Sequence, residues 1–343
     1  MDKKVLIIGP TFFDKNESVQ KAFMQLGWDA KVLGYLEDEP LYNRVLSKVG
    51  VDYFKSKKRT LFNEMIVKEY KEFKPEMVFI LKGNILDRQT LDIMRGSKRV
   101  LWMMDSIFRV HETMKNIDLY DYRFMYEKKD AQRLSESDIS AKFLPCALDE
   151  HDYYPIVDVE QDIDIVFVGS MYIEKSENRE QLLDGIISRF PDRNIQLYGK
   201  YLHIKRPDRL VKYYLKNYRR YYKNVNVNTN DVNRLYARAK IAINMHHSQT
   251  EYSANQRFFE LMGSKVFQIV DETEYIRNEF LQGENVVCFG NVEELLEKVE
   301  EYIDESGKRE RISQNGYDEV LRSHTFKNRI EMVLSEIYGS GQL

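Results

Sequence analysis

Three polar residues in an otherwise apolar stretch, Asn255, Arg257 and Glu260, are the part of this chain best suited to chemistry. Phe258, Phe259, Leu261 and Met262 surround them in sequence, and a charged group in such company needs a partner. Arg257 and Glu260 stand three residues apart on one predicted helix, so they can pair with each other for about 0.3 kcal/mol. They can also turn their charges towards a ligand, a reading that Asn255 and the flanking strands favour. The elements that must hold them are legible. Ile241 to Asn244 and Val266 to Val270 are short apolar runs suited to buried parallel strands. A polar loop, His246 to Tyr252, and a short helix lie between. Ser253 followed by Gln256 is a capping-box pattern for the start of that helix, and Gly263 suits a left-handed cap at its end.

The rest of the chain repeats one style. Strands are expected near Lys4 to Gly9, Ala30 to Tyr35, Met77 to Leu81, Val100 to Met104, Arg123 to Tyr126 and Lys142 to Leu144, with helical or loop material between them. The segment Leu41 to Phe73 reads as mostly helical, with Leu61, Met65, Tyr70 and Phe73 on one stripe. Cys146 to Pro155 breaks the pattern and reads as a hinge. The alternation then restarts at Asp164 to Gly169, continues through Ile195 to Tyr198 and the opening stretch, and closes with helices over Val292 to Ile303, Arg309 to Leu321 and Phe326 to Tyr338. Strands alternating with crossovers imply α/β architecture, here two doubly wound parallel sheets. The expected division is 1–155, 156–325, and a last helix in 326–343 that can pack back on the first domain. Ligands of such sheets bind at the carboxyl ends of the strands.

Composition limits the partners. With 343 residues the chain exceeds one ordinary core. Its 52 basic and 55 acidic residues leave a net charge of −3, which gives no global attraction to nucleic acid. Cys146 and Cys288 sit beside apolar sequence and read as packed thiols. The sequence shows no leader pattern and no run of about 18 apolar residues, so a cytoplasmic protein is expected. Adjacent His246 and His247 point in different directions, and no carboxylate spacing completes a metal site around them. Gly9 and Gly169 are single glycines rather than a dinucleotide fingerprint, which disfavours nicotinamide.

Ala239 to Asn244, Asn255-Gln-Arg-Phe-Phe-Glu260 and Phe267 to Asp271, in that order, resemble the donor half of CgeB-type (spore-maturation-protein-like) glycosyltransferases. Phe167-Val-Gly-Ser170 with Arg179 downstream, Leu144-Pro145 through Tyr154-Pro155, Leu295 to Tyr302 and His324-Thr-Phe-Lys-Asn-Arg329 agree with the same family, and the likeness is good over Asp164 to Leu334. In the first half it rests on Leu101-Trp102-Met-Met-Asp105. The resemblance implies a GT-B fold of two facing Rossmann-like domains with a central cleft, a nucleotide-sugar donor in the second domain, an acceptor in the first, and no metal cofactor. It gives Glu260 the donor ribose, and it lines the diphosphate with Gly169 and Ser170, with Arg179 or Lys175 as a second cation beside Arg257. Tyr198, Gly199, His247, Ser253 and Asn255 complete the implied donor side. An inverting enzyme would take its base from the first domain, where Asp105 and His111 are the candidates. One departure stands out: retaining relatives carry a first glutamate eight positions before the second, and here that position is Tyr252, next to Glu251. The competing class is therefore a non-catalytic two-domain protein that binds a nucleotide or sugar, and a phosphorylase or epimerase is a third.

The segment Lys205 to Lys223 stands apart, with eight basic residues against Asp208 and five interleaved tyrosines. On one helix this composition suits the inner face of a membrane or a lipid-linked acceptor. A solvated helix whose tyrosines pack on the domain is the alternative. No nucleic-acid-binding module accompanies the patch.

Overall fold

A computed structural model of the chain describes residues 3–11, 15–36, 53–169, 171, 179–247, 250 and 252–339. The chain divides into two compact units, Met1–Cys146 with Phe326–Leu343, and Ala147–Thr325.

In the first unit the apolar runs form a parallel sheet, because a strand covered on both faces must be apolar along its length. Its elements are β1 (Lys4–Pro10), α1 (Lys15–Gln25), β2 (Asp29–Tyr35), α2 (Tyr53–Phe73), β3 (Met77–Leu81), α3 (Arg88–Ile93), β4 (Lys98–Met103), α4 (His111–Met114), β5 (Tyr122–Met125), α5 (Lys128–Ser135) and β6 (Lys142–Phe143). The strand order is β2-β1-β3-β4-β5-β6, all parallel. Trp102 on β4 is fully buried, and its indole N–H donates to the Leu144 carbonyl at 3.2 Å, so it is core as its surroundings imply. The stripe on α2 begins one residue later than its sequence suggests. Leu61 and Met65 are exposed, while Phe62 and Ile66 turn inward with Tyr70 and Phe73. The inward set keeps the four-residue repeat more closely. The expected helical start of this segment, 41–52, lies outside the described residues.

The second unit holds β7 (Ile163–Val168), α6 (Arg179–Arg189), β8 (Ile195–Tyr198), α7 (Pro207–Leu215), α8 (Thr229–Ala237), β9 (Ala239–Asn244), α9 (Gln256–Gly263), β10 (Gln268–Asp271), α10 (Glu274–Glu279), β11 (Val287–Phe289), α11 (Val292–Tyr302) and α12 (Ser306–Ser323). The order β11-β10-β9-β7-β8, again all parallel, puts β9 at the centre. Ile241 and Ile243 pack towards α6 and α11, and Ala242 packs with Val232, Leu235, Tyr236 and Leu261 of α8 and α9. α13 (Phe326–Tyr338) ends the described chain as part of the first unit, where Arg329 donates to the carbonyls of Pro145 at 3.3 Å and Cys146 at 3.1 Å. No helix among the described residues is long and apolar enough to cross a membrane. Both cysteines are free, and burial, with Glu272 and Asp271 adding to it, pushes the Cys288 thiol up to about 12.

The basic tyrosine segment is not one helix. α7 ends at Leu215, Asn217 adopts a left-handed conformation at φ +57°, and a single tight turn follows at Tyr218–Arg220. Much of its charge is turned inward. Glu180 on α6 meets Arg206 at 2.8 Å, Arg209 at 3.1 Å and Lys212 at 3.0 Å, and Lys212 also reaches Asp184 at 2.7 Å. Tyr201 stacks on Tyr222 with centroids 3.9 Å apart, and Arg209 lies over the Tyr201 ring. The interior tyrosines therefore follow the packing alternative.

This cluster gives a pH prediction. Burial raises the Glu180 carboxyl, but Lys212, Arg209 and Arg206 more than reverse it and hold it below its ordinary value. A carboxylate depressed in the folded state stabilises fully above its unfolded pKa, about 4.3, and loses that contribution as pH falls through the folded value. Asp184 moves the opposite way, raised chiefly by burial. Melting temperature should therefore fall more steeply below about pH 4.3 in the native chain than in Glu180→Gln. Parallel curves would contradict the assignment.

Candidate functional site

The carboxyl ends of β7, β9 and β10 share one edge of the second sheet, and their pairing brings distant polar residues together there. Ile243 pairs with Phe167 on one side and Ile269 on the other, and Asn244 pairs with Val270. Asp271, the last residue of β10, thereby comes level with the chain leaving β9. Its carboxylate accepts from the His246 backbone N–H at 2.8 and 3.0 Å and lies 2.7 Å from the His246 ring Nδ1. His246 is buried, and its Nε2 has no hydrogen-bond partner among the described residues. In sequence, His246 offers itself only as a metal ligand beside His247. The Asp271 partnership spans 25 positions and exists only through strand register.

Asn255 joins this edge to α9. Its side chain accepts from the Phe258 N–H at 2.9 Å, so Asn255, not Ser253, is the cap of the helix. Its amide also exchanges hydrogen bonds with buried Asn244 at 3.1 and 3.2 Å and donates to the Met245 carbonyl at 3.2 Å. Ser253 lies fully buried two residues ahead of the cap. Gly263 is not the left-handed cap either. It is the last helical residue, Ser264 caps the helix with φ −74°, and Lys265 takes the left-handed turn at φ +55°. Glycine is needed at 263 for close approach instead, since a Cβ there would stand 2.2 Å from the Leu148 side chain and 3.0 Å from the Tyr153 carbonyl.

Arg257 donates from Nη1 to the Tyr236 hydroxyl at 2.7 Å, while its Nε lies 4.0 Å from Glu260. The intrahelical pair is thus a distant contact, and the tyrosine is the closer partner. Burial opposes the charge on Arg257, but Tyr236, Glu260 and Tyr153 outweigh it and raise its pKa. Burial and the negative charge of Glu260 in turn raise the Tyr153 phenol. Glu260 itself is buried at 7% exposure, and its side-chain carboxylate accepts no hydrogen bond among the described residues. A largely buried carboxylate without a donor is costly, and Arg257, 4.0 Å away, gives its direct hydrogen bond to Tyr236.

The remaining expected residues fall into separate places. Arg179 is buried at the start of α6, donates to the carbonyls of Met245 at 3.1 Å and His246 at 3.4 Å, and sits over the Phe167 ring. It braces the loop after β9. Gly169 follows β7 and donates its N–H to the Tyr198 carbonyl at 3.1 Å. Gly199 follows β8 at φ +126°, a conformation suited to glycine, and donates to the Val225 carbonyl. The Tyr198 hydroxyl turns back along its strand to Gln196 at 2.8 Å, and burial chiefly raises its pKa, with lesser opposing effects of Arg238 and Asp162 near the opposite end of the sheet. Tyr198 therefore does not join the Asn255, Arg257 and Glu260 group. His247 is half-buried beside His246. Ser170, Lys175 and Glu251 lie outside the described residues. Tyr252 is buried, and its carbonyl accepts from the Tyr275 N–H at 2.9 Å. In the first unit, Asp105 follows β4, exposed and 3.7 Å from Lys82, and His111 opens α4, also exposed.

Residues 178–335 match a family model described as glycosyl transferase-like. No curated protein matches the chain. Among solved structures, the chain is similar to sucrose-phosphate synthase from Thermosynechococcus elongatus, with TM-score 0.68 and 10% identity over 99% of this chain and 100% of that one. It is also similar to Anabaena Alr3699/HepE in complex with UDP and glucose, with TM-score 0.62 and 10% identity over 98% of this chain and 99% of that one. A glycosyltransferase from Rickettsia africae aligns with TM-score 0.61 and 13% identity over 99% of this chain and 100% of that one. At such identities the structures establish the fold, which is GT-B, and the match to the glycosyl transferase-like model spans most of the second unit. The expected enzyme class, glycosyltransferase, is the class these comparisons return.

Proposed function

We propose that the chain is a CgeB-type glycosyltransferase that moves a sugar from a nucleoside-diphosphate sugar to a glycan or lipid-linked acceptor in the cytoplasm. The observation that carries this reading is Glu260, a largely buried carboxylate on α9 with no hydrogen-bond donor among the described residues. A ribose diol supplies the two donors such a group lacks. The first-turn N–H groups of α9 and the Arg257 guanidinium then face the diphosphate, which suits a helix start. Asn255, Arg179 and Asp271 brace the loop that the ligand would meet. Ser253 and His247 flank it in sequence. The structurally similar Anabaena HepE was solved with UDP and glucose, which agrees with a uridine donor.

Backbone N–H groups and arginine can stabilise a departing diphosphate without a metal ion. Turnover should accordingly be unchanged in excess EDTA, and loss of activity restored by a divalent cation would overturn that part. Asp105 and His111 are the proposed bases for an inverting transfer. The test of the function is release of nucleoside diphosphate from UDP- and GDP-sugars, with and without acceptor. Release is expected from one donor, whereas tight binding without release or transfer would support the non-catalytic binding protein.

A further inference from the structure

Helix α7 is turned inside out. On a surface helix the charged residues face water and the apolar ones face the core. Here Arg209 is 2% exposed, and Lys212 is drawn inward by Glu180 and Asp184. Leu210, Val211, Tyr214 and Leu215 instead stand 42%, 49%, 60% and 81% exposed, and Ile204, just ahead of the helix, stands 90% exposed. Positions 207, 210, 211 and 214 share one helical face, so the exposed apolar residues form a connected ridge.

The inward charges explain what α7 does for the fold, but not why its outer face is apolar. Lys205, Lys216 and Arg219 are exposed around that face, and none meets a carboxylate among the described residues. The acidic residue of the segment, Asp208, is held by Arg206 at 2.7 Å, which leaves the rim positive.

We propose that this face docks on an anionic lipid surface. Projecting aliphatic side chains enter the headgroup and acyl boundary to a depth of about 5–10 Å. Tyr214 suits that boundary by its amphipathic ring, and the three unpaired cations meet anionic headgroups. A protein partner fits less well, because one nine-residue helix falls well short of the roughly 20–30 residues a side of a standard interface. Docking stands apart from the donor reading, since none of these side chains belongs to the site around Glu260.

The test is co-sedimentation of the full chain with vesicles of phosphatidylcholine alone and of phosphatidylcholine containing phosphatidylglycerol. Recovery should be at least about fivefold greater on the anionic vesicles and should fall with added salt. The double variant Ile204→Glu and Leu215→Glu should lose about tenfold in binding while keeping the native melting transition, which shows that it is folded. Reversal of Lys205, Lys216 and Arg219 to Glu should also abolish the preference. Equal recovery on both vesicles, wild-type recovery of the double variant, or association of the chain with itself in place of lipid would overturn the proposal.

Discussion

Replacing Glu260 with Ala should weaken binding of the nucleoside diphosphate by about 100-fold while leaving the melting temperature of the unliganded chain the same or slightly higher. A hydrogen bond to a charged group contributes about 1.5–3 kcal/mol, and each 1.4 kcal/mol is about tenfold in affinity. A ribose diol makes two such bonds to one carboxylate. Part of that gain is offset by desolvation of the hydroxyls, so a loss near the lower end of the sum is expected. The unliganded protein should not suffer, because the Glu260 carboxylate accepts no hydrogen bond among the described residues and its contact with Arg257 is 4.0 Å. Glu260→Gln keeps an acceptor without the charge and should fall about tenfold. The ion-pair account predicts the reverse pattern, a small loss of stability with unchanged nucleotide affinity. Calorimetric titration beside a thermal melt separates the two.

The second large effect is on stability. Asn255→Ala removes the cap of α9, which costs about 1 kcal/mol, and strands the amide of Asn244. That amide is 1% exposed and exchanges hydrogen bonds with Asn255. An orphaned buried amide costs a further 1–3 kcal/mol, roughly. The total of about 2–4 kcal/mol should appear as a lowered melting transition of the second unit. Asn255→Asp keeps the oxygen that accepts from Phe258 but loses the donations to Asn244 and Met245. It should fall between the native chain and Asn255→Ala. Ser253→Ala, by contrast, should leave the cap itself intact, since the cap is Asn255. A melt of Asn255→Ala that matches the native chain would contradict this account of how α9 is fixed to β9.

The strands were readable because each is buried on both faces and so appears as a plain apolar run, Ile-Ala-Ile-Asn at β9 and Met-Val-Phe-Ile-Leu at β3. The helix between β9 and β10 was readable from its neighbours, but its cap was not. Ser253 and Asn255 both offer a capping side chain within one turn, and the choice is settled by Asn244, eleven positions away, which only Asn255 pairs with. Gly263 shows the same limit, because Leu148 and Tyr153 come from more than a hundred residues upstream. The His246 and Asp271 pair depends on the register of β9 with β10. At Lys205 to Lys223 the composition was plain, but the direction of the charges was set by Glu180 and Asp184 on another helix. Local pattern thus marked the candidate residues, and contacts across the sheet determined which partners each one meets.

Arg257 illustrates what changed. Its spacing from Glu260 suggests a pair, yet it donates to Tyr236 on α8, which leaves the Glu260 carboxylate without a donor among the described residues. That isolation is the basis of the donor reading, and a structure of the chain with bound UDP or GDP tests it most directly. Ribose hydroxyls should lie within about 2.5–3.0 Å of the Glu260 carboxylate, with the diphosphate against the first turn of α9. A nucleotide bound elsewhere in the chain, with Glu260 still lacking a partner, would contradict it.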